Sequence, residues 1–250
     1  MSLATLLVLA DGRLPAGGHA HSGGLEAQVA AGRVADLDDV AGFLRGKLHT
    51  TGLVAAAFAA AACRRPGEWA ALDDGLDART PSPALRKASR AQGRALLRAG
   101  RAMWPLPSAV QAVQAVQAVQ AVRSSPQSEG RPAGVRRPVT ERQAVGRDLH
   151  QPTALGILAC AAGLGPAEAA VAAAHGVTTG AAGAAVRLLG LDPYAVHGLI
   201  ARLAPDCDRI AAEAARRADE PVDDLPAAGA PLLDIGAEHH ATWEVRLFAS

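Results

Sequence analysis

The sequence predicts an all-α protein, a single helical domain of about eight to ten helices. Three observations predict this fold class. Alanine, the strongest helix former, supplies 60 of the 250 residues. Aromatic residues, which strands favour, make up only 3% of the chain, so a β-sandwich or β-barrel is excluded. Leucine and valine recur at helical spacing behind residues that commonly cap helices.

The N-terminal half contains clear helix start signals. Ser22 and Ser82 can each accept a hydrogen bond from the first turn of the following helix, and Pro83 suits a first helical position. Asp36 gives the same signal for a third helix. A glycine-rich loop precedes Ser22, and another loop begins at Arg64. The predicted helices cover residues 3–10, a segment after Ser22, residues 36–63 and residues 83–103.

Glycine and proline divide the C-terminal half into shorter predicted helices. Breaks are expected at residues 163–166 and 178–180, and Asp192 followed by Pro193 starts another helix. Residues 220–224 form an acidic loop. The predicted helices cover residues 153–163, 166–176, 180–190, 193–205, 206–218 and 231–243.

A low-complexity segment separates the two halves. Residues 109–122 repeat Ala-Val-Gln four times and end in Ala-Val. A three-residue step turns about 300° around an α-helix, so the valines build no sustained apolar face. The residues that follow are rich in arginine, serine and proline and lack apolar periodicity. We therefore predict a mostly flexible insertion at about 108–148 within one domain that spans residues 1–250.

Charge, cysteine content and motifs exclude several classes of protein. A net charge of only +1 argues against a dedicated nucleic-acid binder. Cys63, Cys160 and Cys207 are too few and too widely spaced for a disulfide framework or a CxxC site, which fits a reducing compartment. The sequence contains no phosphate-binding loop, dinucleotide-binding turn, zinc-protease motif or hydrolase nucleophile elbow. We therefore expect that the protein is not an enzyme.

The apolar segments predict a cytoplasmic protein without a membrane partner. The segment at residues 3–10 has no basic residues before it and ends at Asp11, which does not fit a signal peptide. The longest uninterrupted apolar run, Leu53–Cys63, has 11 residues. A membrane span needs roughly 20.

Histidines supply the only candidate metal ligands that the sequence suggests. His19 and His21 lie two residues apart in the glycine-rich loop, and His240 lies four residues before Glu244. Imidazoles bind nickel or zinc, but two donors do not complete a coordination sphere. His21 and Ser22 can equally close the turn that enters the next helix. We therefore expect no stable metal site, with His19, His21 and His240 as weak candidates.

The helix at residues 83–103 is strongly basic. It carries arginine or lysine at six positions and no acidic residue, so it can dock an acidic protein surface or nucleic acid. The absence of interleaved aromatic residues favours a protein. A solvated face whose arginine stems cover apolar neighbours is an equally good interpretation. The basic positions are Arg86, Lys87, Arg90, Arg94, Arg98 and Arg101.

The C-terminal tail ends in Arg-Leu-Phe-Ala-Ser. Two interpretations of Leu247 and Phe248 remain open. Their side chains either pack against the body of the protein or insert into a partner.

Four sequence blocks, taken together, resemble the UreF-type urease accessory proteins. A loop rich in proline and glycine runs into His-Ser-Gly-Gly-Leu-Glu at residues 21–26, which is similar to the N-terminal signature of that family. Ser-Arg-Ala-Gln-Gly-Arg at residues 89–94 resembles the core of its central helix. Ala-Val-Arg-Leu-Leu at residues 185–189 matches a motif of a late helix. Residues 230–234, His240 and residues 246–250 match its C-terminal signature, and the insertion is not a family feature.

The resemblance implies an all-α, dimeric protein without catalysis of its own. It implies assembly with UreD (also called UreH) and the GTPase UreG on apo-urease, where the complex handles nickel and GTP and no cofactor is stably bound here. A nickel-binding metallochaperone that uses the loop and C-terminal histidines is the alternative. The residues that the resemblance marks as structural or partner-facing are Gly17, Gly18, His21, Ser22, Gly23, Leu25, Glu26, Arg90, Gly93, Arg94, Arg187, His240, Arg246, Leu247 and Phe248.

Overall fold

A computed structural model of the chain describes residues 2–106 and 148–249, and within these ranges every regular element is helical. The predicted all-α fold class is therefore confirmed. Two 3₁₀ helices, Gly18–Ala20 and Val222–Asp224, and a π-helical turn, Leu48–Gly52, accompany the α-helices. The α-helices are α1 Leu3–Leu9, α2 Leu25–Ala30, α3 Leu37–Lys47, α4 Leu53–Arg64, α5 Trp69–Ala78, α6 Pro83–Arg101, α7 Gln151–Ala161, α8 Pro166–Leu189, α9 Pro193–Arg216 and α10 Pro231–Ala241.

Helix α4 forms the centre of the fold. Every residue from Ala56 to Ala62 has no exposed surface, as expected of a helix that is apolar on all sides. It packs against α7, α8 and α9. Gly156 of α7 allows the closest approach, since a Cβ there would overlap the carbonyl oxygen of Ala59. Alanine and glycine thus permit backbone contact where larger side chains would separate the helices.

A second apolar cluster lies between α3, α8 and α9. It contains Leu25 from α2 and Phe248 from the tail, so it joins the two ends of the chain. Val40, Leu44 and Leu199 complete its centre and are almost fully buried. The second cluster places the N-terminal and C-terminal signatures side by side.

Three predictions about individual helices are wrong. Helix α5 forms where a loop was expected, because Leu72 and Leu76 are buried and the Trp69 indole donates to the Ala62 carbonyl (2.8 Å). Helix α8 runs unbroken through Thr178 and Thr179, whose hydroxyls donate to carbonyls one turn earlier. Helix α9 likewise continues through the proline at position 205.

Helix α8 is long and apolar enough to cross a membrane by length and composition alone. Of its most apolar 18-residue stretch, 56% is buried inside the fold. Glu168 caps its first turn through the backbone of Gly165 (2.9 Å). Such burial is typical of a core helix.

The predicted insertion at 108–148 lies outside the described residues except for Asp148. That residue is anchored to the fold, because its carboxylate pairs with Arg94 and its carbonyl accepts from Arg90.

Candidate functional site

The glycine-rich loop positions Glu26 in the interior of the protein. Gly23 and Gly24 have φ angles of 63° and 91°, a left-handed conformation that glycine adopts without strain. The Ser22 hydroxyl accepts a hydrogen bond from the Glu26 backbone N–H (3.2 Å), but the N-cap of α2 is Gly24, two residues after the predicted position. Glu26 lies in the first turn of α2, where the helix dipole favours a negative charge.

The Glu26 carboxylate binds the C-terminal tail. Its Oε1 accepts from the backbone N–H of Leu247 (2.8 Å), and its Oε2 accepts from that of Phe248 (3.0 Å). The Nε2 atom of His240 on α10 lies 2.8 Å from Oε2. Glu26 and His240 are both buried, and a buried carboxylate is stable only with partners of this kind. One side chain therefore connects α2, α10 and the tail.

Arg187 of α8 makes a second connection between the loop and the tail. Its guanidinium lies 4.2 Å from the centre of the Phe248 ring, a cation–π distance. Its Nη2 donates to the His19 carbonyl (2.6 Å). The backbone N–H of Ala249 donates to the carbonyl of Ala20 (2.7 Å). The tail is thus held by Glu26 on one side and by the loop and Arg187 on the other.

The tail buries Phe248 and exposes the residues on either side of it. Phe248 is 3% exposed and packs into the second apolar cluster, whereas Leu247 is 58% exposed and Val245 is 88% exposed. The two interpretations of the tail therefore apply to different residues, since Phe248 packs against the body and Leu247 faces outward. Leu232 and Ile235 on α10 are exposed as well. We call Leu232, Ile235, Val245 and Leu247 the C-terminal apolar surface.

A small groove lies beside the tail. Ala84 and Leu85 at the start of α6 line one part of it, and His240 and Arg246 line another. Helix α6 is fixed there by Glu238, whose Oε1 accepts from the Ser82 hydroxyl (2.5 Å) and the Ala84 backbone N–H (2.8 Å). Those hydrogen bonds lower the pKa of Glu238. The first turn of α6 therefore belongs to the same region as the tail.

Arg90 lies inside the fold rather than on a docking face. Its guanidinium forms ion pairs with Asp73 (2.7 Å) and Asp77 (2.9 Å) of α5, and its side chain is 14% exposed. Gly93 allows α6 to meet the start of α7, because a Cβ there would overlap the Leu149 carbonyl oxygen. The central motif thus packs α6 against α5 and α7.

His150 completes this internal network. Its ring nitrogens lie 2.9 Å from the Ser89 hydroxyl and 2.8 Å from Asp77, and its backbone N–H donates to Asp73 (2.7 Å). Burial lowers the pKa of His150, an effect that the two aspartates oppose. Sequence reasoning missed both aspartates, since it assigned no helix to residues 69–78. Their i,i+4 spacing is the signal that could have placed them on one helix face.

The candidate metal ligands do not form a metal site. His240 is bound to Glu26, and His19 is exposed. Burial and the charge of neighbouring His19 lower the pKa of His21. Throughout residues 2–106 and 148–249, no group of three or more His, Cys, Asp or Glu side chains could hold a metal ion.

The remaining residues of the N-terminal signature lie in the glycine-rich loop or in the core. Gly17 adopts a left-handed φ of 74°, and Gly18 starts the 3₁₀ helix after it. Leu25 is fully buried. Lys47, which sequence reasoning did not single out, donates from Nζ to the Gly23 carbonyl, and burial lowers the pKa of this amine to about 8. No local sequence signal marks that contact.

Comparisons with known proteins agree with one another. A sequence model of the UreF family matches residues 34–204. Over 249 residues the chain is 42% identical to the urease accessory protein UreF of Mycobacterium sp. (strain JLS), covering 100% of this chain and 99% of that protein. It is 40% identical to the protein of the same name from Mycolicibacterium vanbaalenii, with the same coverage. Its identity to the one from Mycobacterium tuberculosis (strain H37Rv) is 38%, also at 100% and 99% coverage.

Proposed function

The chain belongs to the UreF family of urease accessory proteins and so has a role in urease maturation, and from this premise we propose its specific action. It acts as a non-catalytic chaperone that assembles with UreD/UreH and the GTPase UreG on apo-urease. The assembly supports GTP-dependent insertion of nickel into the urease active site. Nickel and GTP are substrates that the complex handles, and this chain holds neither as a resident cofactor.

The C-terminal apolar surface carries the proposal. Four large apolar side chains are exposed on α10 and the tail, whereas the backbone that presents them is fixed by Glu26 and Arg187. Exposed apolar residues on a rigid support are typical of protein-binding surfaces. We assign this surface to UreD/UreH.

The absence of a three-ligand metal cluster from the described residues favours a scaffold over a metal carrier. His240 would have to leave its buried partner Glu26 before it could bind nickel. The metallochaperone alternative predicts nickel binding by the isolated protein. Titration that shows no nickel bound more tightly than about 1 mM would remove that alternative.

We further propose that the protein is a cytoplasmic homodimer. One copy leaves Leu3, Leu7 and Val8 of α1 exposed, and a second copy can cover apolar residues of this kind. Light scattering of the purified chain measures the mass. A strictly monomeric species at micromolar concentration would contradict this part of the proposal.

Co-purification tests the proposed assembly. Tagged wild-type protein should retain UreD/UreH, UreG and urease from cells that express all of them. The double variant Val245→Ser and Leu247→Ser should lose UreD/UreH, because it removes two exposed apolar contacts and leaves Phe248 in place. Retention of every partner by this variant would refute the assigned surface, and failure of the wild-type chain to retain any partner would refute the assembly.

A further inference from the structure

Helix α6 separates its six basic side chains into two groups. Arg86 donates to the carbonyl oxygens of Thr80 and Pro81, and Arg90 is enclosed by aspartates. The other four are exposed. We call these four the basic stripe: Lys87, Arg94, Arg98 and Arg101.

The basic stripe is a continuous feature of one helix face. At 100° per residue, its four positions fall within about 60° of the helix circumference. From Lys87 to Arg101 the stripe is about 21 Å long, at 1.5 Å per residue. It begins beside the groove that Leu85 shares with α10 and the tail, and it extends away from that groove.

Nearby acids balance little of this charge. Arg94 pairs with Asp148, but the structure described for residues 2–106 and 148–249 shows no ion pair for the other three. Arg94 and Arg98 are i,i+4 neighbours, and Arg98 and Arg101 are i,i+3 neighbours, so they repel one another along the helix. Some exposed arginines elsewhere pair with carboxylates, as Arg64 does with Asp219 and Arg209 with Asp206. Others in the described part of the chain, such as Arg202 and Arg216, are exposed without an ion pair, so the stripe differs from them in its clustering on one helix face.

The part of the chain that the structure describes has a net charge of the opposite sign. The whole chain has a net charge of +1, and residues 107–147 contain six arginines and two glutamates. The described part of the chain therefore has a net charge of −3. The basic stripe is a local feature of α6 and does not follow from a generally basic surface.

We propose that the basic stripe docks an acidic face of a protein in the urease maturation assembly, at a surface separate from the C-terminal apolar surface. This inference rests on the proposed function. Guanidinium groups bind carboxylates through paired hydrogen bonds, which makes an acidic protein face a fitting partner. Nucleic acid fits less well, because the stripe has no interleaved aromatic residues and the whole chain has a net charge of only +1.

The test compares two charge reversals of equal size. The stripe variant combines Arg98→Glu with Arg101→Glu, and the control variant combines Arg202→Glu with Arg216→Glu. All four arginines are exposed on long helices. Arg98 and Arg101 both lie in the last turn of α6, whereas only Arg216 of the control pair lies in the last turn of α9, so the stripe variant perturbs the helix dipole more and its folding must be checked separately. Association with the preformed UreD/UreH–UreG–apo-urease assembly is measured at 50 and 300 mM NaCl, with melting temperature as the folding control.

The stripe variant should associate about tenfold more slowly than wild type at 50 mM NaCl, because opposite charges steer association at low ionic strength. The difference should shrink at 300 mM NaCl, and the control variant should remain within twofold of wild type. Equal rates for the stripe and control variants would overturn the inference. So would a DNA duplex retained by wild type and lost by the stripe variant while partner binding is unchanged.

The two proposals fail differently in this experiment. If the wild-type chain binds the assembly and only the tail variant loses it, the proposed function stands and the stripe inference falls. If the wild-type chain does not bind the assembly at either salt concentration, the proposed function fails and the inference fails with it.

Discussion

Replacement of Glu26 by glutamine should release the C-terminal tail without unfolding the protein. The carboxylate accepts hydrogen bonds from the backbone N–H groups of Leu247 and Phe248 and contacts the His240 ring. A glutamine amide keeps one oxygen that can accept, but its NH₂ group cannot accept from the second N–H. The variant therefore loses one charged hydrogen bond and weakens the others.

The size of the effect follows from these contacts. A hydrogen bond to a charged group contributes about 1.5–3 kcal/mol, so the closed tail should lose about 2 kcal/mol. That loss raises the population of the open tail about 30-fold. The global fold should survive, because the apolar cluster around α4 contains no residue of α2, the helix that carries Glu26. Amide hydrogen exchange at Leu247, Phe248 and Ala249 measures the change directly.

Glu238→Gln is a matched control for this prediction. Glu238 is also a carboxylate that accepts hydrogen bonds near the groove, but it holds Ser82 and Ala84 of α6 and not the tail. It should leave exchange at Leu247 and Phe248 unchanged. The reasoning is refuted if Glu26→Gln leaves tail exchange at the wild-type rate, or if exchange accelerates equally throughout the protein.

Three further changes test other parts of the structure. Gly93→Ala should lower the free energy of unfolding by more than about 3 kcal/mol in urea denaturation, because its methyl group would overlap the Leu149 carbonyl. His150 should titrate below 6.5 by NMR, and stability should fall as the pH drops from 6.5 toward that lowered pKa, because the unfolded chain takes up the proton first. The Val245→Ser and Leu247→Ser variant should keep the wild-type melting temperature within about 2 °C, because both side chains are already exposed.

For each of these three predictions, a specific result would contradict it. Gly46→Ala is the control for Gly93→Ala, because a Cβ at Gly46 meets nothing within 4 Å, and it should be neutral or stabilising by up to about 1 kcal/mol. Equal effects of the two glycine variants would contradict the close approach of α6 and α7. A His150 ring that titrates above 6.5 would reverse the expected pH dependence. A large drop in melting temperature of the tail variant would show that Leu247 belongs to the core.

Local signals predicted the parts of the fold that local interactions determine. Ser82 caps α6 by accepting from the Leu85 N–H (3.1 Å), and Asp36 caps α3 by accepting from the Asp39 N–H (2.9 Å), both where the sequence placed them. The helix break predicted at residues 178–180 is wrong. Threonine hydroxyls can donate to backbone carbonyls within a helix, and tertiary burial outweighs the low helix propensity of threonine and glycine.

Long-range partners could not be predicted from the sequence. Glu26 was singled out through a family motif, but its partners His240 and Phe248 lie 214 and 222 positions away. The enclosure of Arg90 depends on α5, which was not predicted, so the basic helix could not be divided into an internal and an exposed face. Periodicity identifies faces of helices, and only the packing of α5 against α6 shows which of those faces is covered.

Urease nickel content tests the central claim most directly. Urease is purified from cells that lack this protein and from the same cells complemented with the wild-type chain, and bound nickel is measured per active site. The proposed function predicts nickel near background in the deletion strain, with urease protein at normal abundance, and restoration by the wild-type chain. Normal nickel content in the deletion strain would contradict it.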